Sequence, residues 1–205
     1  MTAARIAVIS AGLSQPSSTR LLADRLAAGT VSALAATGRV AEIDVVELRD
    51  HAGDLANNLV TGFPSAGLRA VLDRVVAADG MITVTPIFNA SYSGLFKTFF
   101  DVLEPDSLTG MPVLIGATGG SARHSLALEH AVRPMFTYLR SVVVPTSVYA
   151  ATEDWASAGD GLNGRIARAA EEFTEVLAGR STARPADPYR DAVPFEQLLG
   201  GLRSA

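Results

Sequence analysis

The sequence predicts a doubly wound α/β domain, in which a five-stranded parallel sheet carries helices on both faces. Short apolar runs rich in branched residues alternate along the chain with longer stretches of helical periodicity. Three of these runs are almost continuously apolar, which is typical of parallel strands buried on both faces. With 205 residues, of which 48% are hydrophobic, the chain is long enough for one domain with a sizeable core.

Five apolar runs have the length and the branched residues of strands. The first contains the continuous segment Ile6-Ala-Val-Ile9, and the third and fourth are similarly apolar. In chain order the predicted strands are Arg5–Ser10, Ile43–Leu48, Gly80–Thr85, Met111–Ala117 and Ser141–Tyr149.

Helical patterns lie between or after these strands. In the first pattern Leu22, Leu26 and Leu34 recur at roughly helical spacing, and Gly38 follows where a C-terminal glycine is common. Pro134 lies inside the fourth pattern and predicts a kink or a break there. The predicted helices are Ser18–Thr37, Ser65–Ala78, Ser93–Val102, Ala122–Leu139 and Asn163–Ala178.

The alternation of strands and helices predicts right-handed crossovers and a three-layer sandwich. Five strands are sufficient for the flavodoxin-like order 2-1-3-4-5, whose ligand lies beyond the carboxyl ends of strands 1 and 3. We assign residues 1–179 to this domain. Residues 180–205 hold three prolines and few core positions, which predicts a C-terminal tail that is either a surface arm or partly disordered.

Composition argues against several classes of function. The absence of cysteine excludes disulfides, thiolate metal sites and a cysteine nucleophile. The net charge of −4 does not indicate a partner surface for nucleic acid or anionic lipid. The chain shows neither a secretory signal nor an apolar run near the roughly 18 residues of a membrane span, so we expect a cytoplasmic protein. The three histidines lack metal-ligand spacing, and no metal site is expected.

The loop after the first strand, SAGLSQPSSTR, predicts a phosphate site. It has five hydroxyl residues and no lysine or acid, and it leads into a helix whose N-terminal N–H groups attract anions. Helix capping by Ser17 or Ser18 is the simpler alternative, although one cap does not need five hydroxyls. Neither the P-loop nor the Rossmann glycine pattern is present, which favours holding a cofactor over cleaving a nucleotide. The hydroxyl residues are Ser10, Ser14, Ser17, Ser18 and Thr19.

The loop after the third strand, TPIFNASYSGLFK, is apolar and aromatic. Pro86 ends the strand, and the next helix starts near Ser91 or Ser93. Between them Ile87, Phe88 and Tyr92 suit a flat heterocycle, whose polar edge Asn89 and the backbone can contact. Packing of these side chains against neighbouring helices or a second subunit is the alternative.

The loop after the fourth strand, ATGGSARH, contains two consecutive glycines. Gly119 and Gly120 allow the backbone to approach a ligand closely, and the helix predicted from Ala122 directs N–H groups at it. Taken alone, a tight strand-to-helix turn is the simpler interpretation. Because all three loops meet at one edge of the predicted sheet, we favour a single binding site.

Together the motifs SAGLSQPSSTR, TPIFNASYSGLFKTFFD and ATGGSARHSLALEHAVRPMFTYL resemble the NADPH-dependent FMN reductases of the flavodoxin-like superfamily. The resemblance covers about residues 5 to 178 and is strongest to the branch associated with luciferase-like flavin monooxygenases. It implies hydride transfer from NADPH or NADH to FMN, with the chemistry supplied by the cofactor and no catalytic side chain. It also implies a homodimer or homotetramer with each flavin near a subunit boundary, and the apolar patch Leu95–Leu103 fits such an interface. Burial of this patch within one subunit is the alternative.

The resemblance assigns a part of FMN to each loop. The first binds the phosphate, the second contacts the isoalloxazine and ribityl chain, and the third meets the pyrimidine edge. The arginine that many relatives carry inside the first loop comes here only at Arg20, while Arg123 is a candidate for the 2′-phosphate of NADPH. The implied FMN-binding residues are Ser10, Ser14, Ser17, Ser18, Thr19, Pro86, Ile87, Phe88, Asn89, Tyr92, Thr118, Gly119, Gly120 and Ser121, with His124 the best polar side chain nearby.

The favoured function is therefore an FMN reductase that supplies reduced flavin to a partner monooxygenase. The first alternative keeps FMN bound and reduces a quinone, an azo dye or a metal ion. A flavodoxin-type electron carrier is disfavoured by the mild net charge, since carriers usually present strongly acidic docking surfaces. A serine hydrolase built on Ser121 and His124 lacks the G-x-S-x-G pattern.

Overall fold

Seven strands form the central sheet of the computed structural model, which describes residues 3–156 and 161–179. Three of them, β1, β3 and β5, make up the middle of the sheet. The strands are β1 Ala4–Ser10, β2 Ala41–Glu47, β3 Gly80–Phe88, β4 Ser91–Tyr92, β5 Pro112–Gly119, β6 Val142–Val143 and β7 Val148–Ala151.

The main sheet is parallel, with the order β2-β1-β3-β5-β6, and β7 also pairs with β5. This order confirms the predicted flavodoxin-like architecture. The prediction of five strands was incomplete, because the last predicted strand is two short strands separated by residues 144–147. Pro145 lies in that gap, where it cannot donate a ladder hydrogen bond. The additional strand β4 pairs antiparallel with the end of β3.

Helices cover both faces of the sheet and complete the three layers. On one face, α1 and α7 enclose a core that includes Leu26 and Phe173. The other face is covered by α2 to α5, with Leu72 and Phe99 among its buried residues. The helices are α1 Ser18–Ala36, α2 Ala52–Thr61, α3 Ala66–Val76, α4 Gly94–Asp101, α5 Arg133–Tyr138, α6 Thr152–Ala156 and α7 Gly161–Gly179.

The predicted helix Ala122–Leu139 is divided into three pieces. A 3-10 turn spans Ala122–His124, a π-helical turn spans Leu128–Val132, and α5 follows directly. Pro134 is the second residue of α5, where its missing N–H is tolerated. Val132 and Arg133 both have right-handed helical φ and ψ, so the chain passes from the π-helical turn into α5 without a break at Pro134. The π-helical turn just before the proline is the irregularity that the structure shows here. Helix α2 was not predicted.

The aromatic patch that fitted a subunit interface is packed inside the chain. Phe96 and Phe99 are completely buried, and Phe100 is 3% exposed. The Phe100 ring lies edge-on to those of Phe96 and Phe136, each with a centroid distance of 4.9 Å. Burial within one subunit accounts for these phenylalanines, so the oligomeric state stays a prediction.

No helix in residues 3–156 and 161–179 combines the length and apolar composition needed to cross a membrane. The predicted tail, residues 180–205, lies outside the described residues.

Candidate functional site

The three predicted loops meet at one edge of the sheet. In the parallel register Ser10 of β1 lies opposite Val84 of β3, and Pro86 of β3 lies opposite Thr118 of β5. The hydroxyls of Thr19 and Thr118 share a buried hydrogen bond of 2.9 Å. The first turn of α1, which follows the first loop, is thereby joined directly to the strand end that precedes the third loop.

The first loop is shaped by its own hydroxyls. Ser17 is the N-cap of α1, and its Oγ accepts a hydrogen bond from the backbone N–H of Arg20 at 3.2 Å. The Ser14 hydroxyl donates to the carbonyl of Pro16 at 3.0 Å. A Cβ at Gly12 would overlap the Ser17 hydroxyl, so this glycine gives the cap its space. The capping alternative is therefore correct for Ser17, while Ser18 remains exposed.

Two arginines brace the same loop through one carboxylate. Arg20 donates to Glu47 at 2.6 Å and to Asp24 at 2.8 Å. The hydrogen bond to Asp24 and the charges of both carboxylates outweigh burial and raise the pKa of the Arg20 guanidinium. Arg49 pairs with Glu47 at 2.8 Å and donates to the Ser14 carbonyl at 3.1 Å. Both guanidinium groups are thus engaged with acidic side chains.

Arg49 was missed by the sequence analysis, although a signal for it exists. It follows the second strand, which neighbours the first in the predicted order 2-1-3-4-5, and Ser10 lies opposite Glu47 in the register of β1 and β2. Polar residues after β2 are therefore expected beside the first loop.

The second loop is a β-hairpin. Ile87 pairs with Tyr92 and Phe88 with Ser91, which leaves Asn89 and Ala90 as the two-residue turn. Both turn residues have positive φ, 47° and 74°, as a primed hairpin turn requires. Asparagine tolerates this conformation well, whereas alanine adopts it at a cost. The hairpin exposes 46% of Phe88 near its tip.

A hydroxyl fastens the hairpin to the sheet. The backbone N–H of Ser93 donates to the Thr85 hydroxyl at 3.1 Å, and Ser93 caps α4 by accepting from the N–H of Phe96 at 3.2 Å. The start of α4 is thereby held against the end of β3, and Tyr92 is held between them.

The third loop is packed against a tyrosine from β7. Tyr149 donates from its hydroxyl to the Ser121 carbonyl at 2.9 Å. A Cβ on Gly119 would overlap that hydroxyl, whereas a Cβ on Gly120 would meet no atom within 4 Å. Gly119 therefore satisfies a packing need inside the protein, and Gly120 leaves open space outside it. Arg123 is exposed in the following 3-10 turn.

The predicted site residues differ in exposure. Those at the strand ends are mostly buried, and those in the loops are mostly accessible. Ser10, Thr19, Pro86 and Thr118 are buried, Ser17, Ile87, Tyr92, Gly119 and Ser121 are partly buried, and Ser14, Ser18, Phe88, Asn89, Gly120 and His124 are exposed.

FMN fits the donor set of this edge. The Ser10 hydroxyl is completely buried and has no hydrogen-bond partner among the described residues. Helix α1 is 19 residues long with no acidic residue in its first turn, so its N terminus favours a phosphate. Gly120 and the exposed aromatic ring of Phe88 provide room and apolar surface for a flat ring system.

Comparison with known proteins agrees with this geometry. Residues 4–156 match the family described as NADPH-dependent FMN reductase. An FMN reductase (NADPH) from Pseudomonas aeruginosa is 35% identical over 180 residues, which cover 86% of this chain and 94% of the relative. An NADH-dependent FMN reductase, SfnF, from Pseudomonas putida is 36% identical over 151 residues, 73% and 78% of the two chains. The crystal structure of an oxidoreductase from Corynebacterium diphtheriae superposes with a TM-score of 0.85 at 46% identity, covering 88% of this chain and all of that one.

The fold and the site define a flavodoxin-like flavoprotein of the oxidoreductase class. The chain belongs to the NADPH-dependent FMN reductase family. It is an NAD(P)H:FMN oxidoreductase that uses FMN with NADPH or NADH, as the resemblance implied.

Proposed function

We propose that FMN is reduced at the edge where the three loops meet, with its phosphate at the first loop and its ring between the second and third. The observation that carries this assignment is the buried hydrogen bond between Thr19 and Thr118. Because it joins the start of α1 to the end of β5, a ligand that reaches from a phosphate to a ring system can contact both loops at once.

The phosphate is assigned to the hydroxyls and N–H groups at the N terminus of α1. Ser14 and Ser18 are exposed there, and Ser10, whose buried hydroxyl has no partner among the described residues, ends β1 where this loop begins. Since Glu47 already pairs with Arg20 and Arg49, neutral donors and the helix dipole provide the main attraction.

The ring is assigned to the hairpin and the glycine turn. Phe88, Ile87 and Tyr92 offer apolar and aromatic surface, and Asn89 offers a polar group at the hairpin tip. Gly120 permits close approach of the backbone, and the N–H groups that begin the 3-10 turn at Ala122 suit an electron-rich ring edge. His124 is exposed in the same turn and is assigned to the rim.

FMN, when bound, supplies the redox chemistry by accepting a hydride from the nicotinamide. The chain's task is to bind and orient. The hairpin and the glycine turn would hold the flat ring between them, and the apolar side chains of Ile87 and Phe88 would exclude water from it. Backbone donors at the third loop stabilise negative charge at the ring edge without having to reorganise.

Free FMN is the favoured electron acceptor, and reduced FMN leaves to serve a partner monooxygenase of the flavin-dependent class. The first part is supported by the relatives, which are described as FMN reductases. The alternative, a tightly bound FMN that reduces a quinone, an azo dye or a metal ion, differs in one measurable way. With added FMN as the varied substrate, the favoured function predicts saturable oxidation of NADPH or NADH and a higher kcat/KM for FMN than for quinones. A higher kcat/KM for quinones, with FMN retained on dialysis, would support the alternative.

The oligomeric state and the location remain parts of the proposal. A homodimer or homotetramer with the flavin near a subunit boundary, in the cytoplasm, is what the family resemblance implies. Sedimentation or gel filtration at micromolar concentration tests the assembly, and a monomer would contradict it.

A further inference from the structure

Tyr149 connects the interior of the protein to the third loop. It lies on β7, opposite Ala117 of β5, and is 8% exposed. Ala117 and Gly119 are two residues apart on β5 and therefore face the same side of the sheet. The ring of Tyr149 runs along that side, so its hydroxyl reaches the loop from within.

The hydroxyl of Tyr149 determines the orientation of one peptide group. It donates to the Ser121 carbonyl at 2.9 Å. Since a trans peptide is planar, the N–H of Ala122 points away from that carbonyl and therefore away from the buried side. Ala122 is the first residue of the 3-10 turn, and the first N–H groups of a helix have no acceptor within it. The tyrosine thus orients a donor that the helix itself does not use.

The packing around Gly119 keeps this hydroxyl in place. An added Cβ would overlap Tyr149 Oη and lie 3.2 Å from Tyr149 Cζ and 3.8 Å from the Cβ of Ile87. The phenol therefore occupies the space that a side chain at 119 would need, next to the second loop. Any residue larger than glycine would displace the hydroxyl or the loop.

The backbone of Tyr149 is itself anchored. Its carbonyl accepts from Arg165 Nη2 at 3.2 Å, and Arg165 pairs with Asp154 at 2.8 Å. Asp154 also accepts from the N–H of Ala151 at 2.8 Å. Burial, with the charges of Asp154 and Glu153, raises the pKa of the Tyr149 hydroxyl, which therefore stays protonated and able to donate at neutral pH.

We propose that Tyr149 is a positioning residue for FMN reduction, which holds the Ser121 carbonyl inward so that the Ala122 N–H faces the bound flavin. This inference rests on the proposed placement of FMN at the third loop. The Tyr149 hydroxyl acts through one peptide group of the loop, and removing the hydroxyl should weaken FMN binding.

The first test replaces Tyr149 by phenylalanine, with Tyr138→Phe as the matched control because Tyr138 is 87% exposed. The Kd of the flavin-free protein for FMN is measured by quenching of flavin fluorescence, alongside KM for FMN, kcat and the melting temperature. Loss of one hydrogen bond predicts a rise of about two- to tenfold in Kd and KM for Tyr149→Phe, and wild-type behaviour for Tyr138→Phe. A lower melting temperature with wild-type Kd would show a merely structural role and overturn the proposal.

A second variant removes the donor and leaves the tyrosine in place. Ala122→Pro eliminates the N–H at the first position of a helical turn, where proline is favoured, and the extended Ser121 (φ −149°, ψ 158°) suits a following proline. It should raise the Kd for FMN as much as Tyr149→Phe does, and the double variant should add nothing further. A wild-type Kd in Ala122→Pro would contradict the proposal. If the wild-type protein neither binds FMN nor oxidises NADPH or NADH, the proposed function itself has failed, which is a different result.

Discussion

The first and third loops contribute to the same edge of the sheet but are held in place by different means. The first is braced from several directions, by the Ser17 cap, by the Ser14 hydrogen bond and by Arg49, which reaches the loop backbone from the end of β2. The third is tied to α1 at Thr118, but beyond that residue it is held by one buried phenol and by a glycine that leaves room for it. If one contact is lost in the first loop, the remaining contacts still hold the loop in place. If the tyrosine contact is lost in the third loop, the loop is free to move, and we expect ligand binding to weaken.

The largest effect is expected at Gly119. Gly119→Ala places a methyl group on the Tyr149 hydroxyl, so the loop must move. We expect FMN binding to weaken by about five- to a hundredfold, since overpacking costs about 1–3 kcal/mol. Fluorescence titration with FMN measures this directly.

The tyrosine provides the control for that substitution. In the Tyr149→Phe background the nearest atom to the new methyl group is the ring carbon at 3.2 Å, so adding Gly119→Ala should cost much less than it does in the wild type. Equal costs in both backgrounds would show that the hydroxyl does not determine the need for glycine.

A smaller effect, on stability, is expected at the first loop. Ser17→Ala removes the N-cap of α1 and should lower the free energy of unfolding by about 1 kcal/mol. The matched variant Ser18→Ala leaves the cap intact and should retain stability while weakening FMN binding. Denaturant unfolding and FMN titration of both variants separate capping from phosphate binding. The reverse pattern would show that the two serines have been assigned the wrong way round.

The smallest effect is expected at Asp154, which supports β7 behind the third loop. Burial opposes its ionisation, but the hydrogen bonds from Arg165 and the Ala151 N–H prevail and lower the pKa of its carboxyl. Because the folded-state pKa is the lower one, this stabilisation is fully present above the unfolded value of about 3.9 and disappears as the pH falls through the folded value. Asp154→Asn should therefore cost about 0.5–1 kcal/mol at pH 7, and this cost should shrink as the pH falls below the unfolded value. A cost independent of pH would contradict the assigned cause.

The regular part of the fold could be predicted because strands and helices leave local patterns in the sequence, and because their alternation along the chain indicates a parallel sheet. The nearly continuous apolar runs of β1, β3 and β5 predicted a parallel sheet, and the sheet order then placed the three loops together. The two-residue turn at Asn89 and Ala90 escaped prediction because its second residue is alanine, which rarely adopts positive φ. A glycine at that position would have marked the hairpin. Helix α2 escaped because no capping side chain marks its start: its N-cap residue, His51, makes no side-chain hydrogen bond to the helix, whereas Ser93 caps α4.

The long-range contacts of the site could not be predicted from sequence. Tyr149 is separated from Ser121 by 28 residues, and nothing in the motif ATGGSARH indicates which side chain will support it. Arg49 and the pairing of Thr19 with Thr118 depend in the same way on how strands and helices lie side by side. The three motifs identify the loops, and only the packing shows what holds them.

Hydrogen–deuterium exchange with and without FMN tests the three-loop site most directly. We expect FMN to slow exchange together in residues 10–20, 85–93 and 117–124, and to leave exchange at the opposite ends of the strands unchanged. Protection of only one loop, or protection centred away from this edge of the sheet, would contradict it.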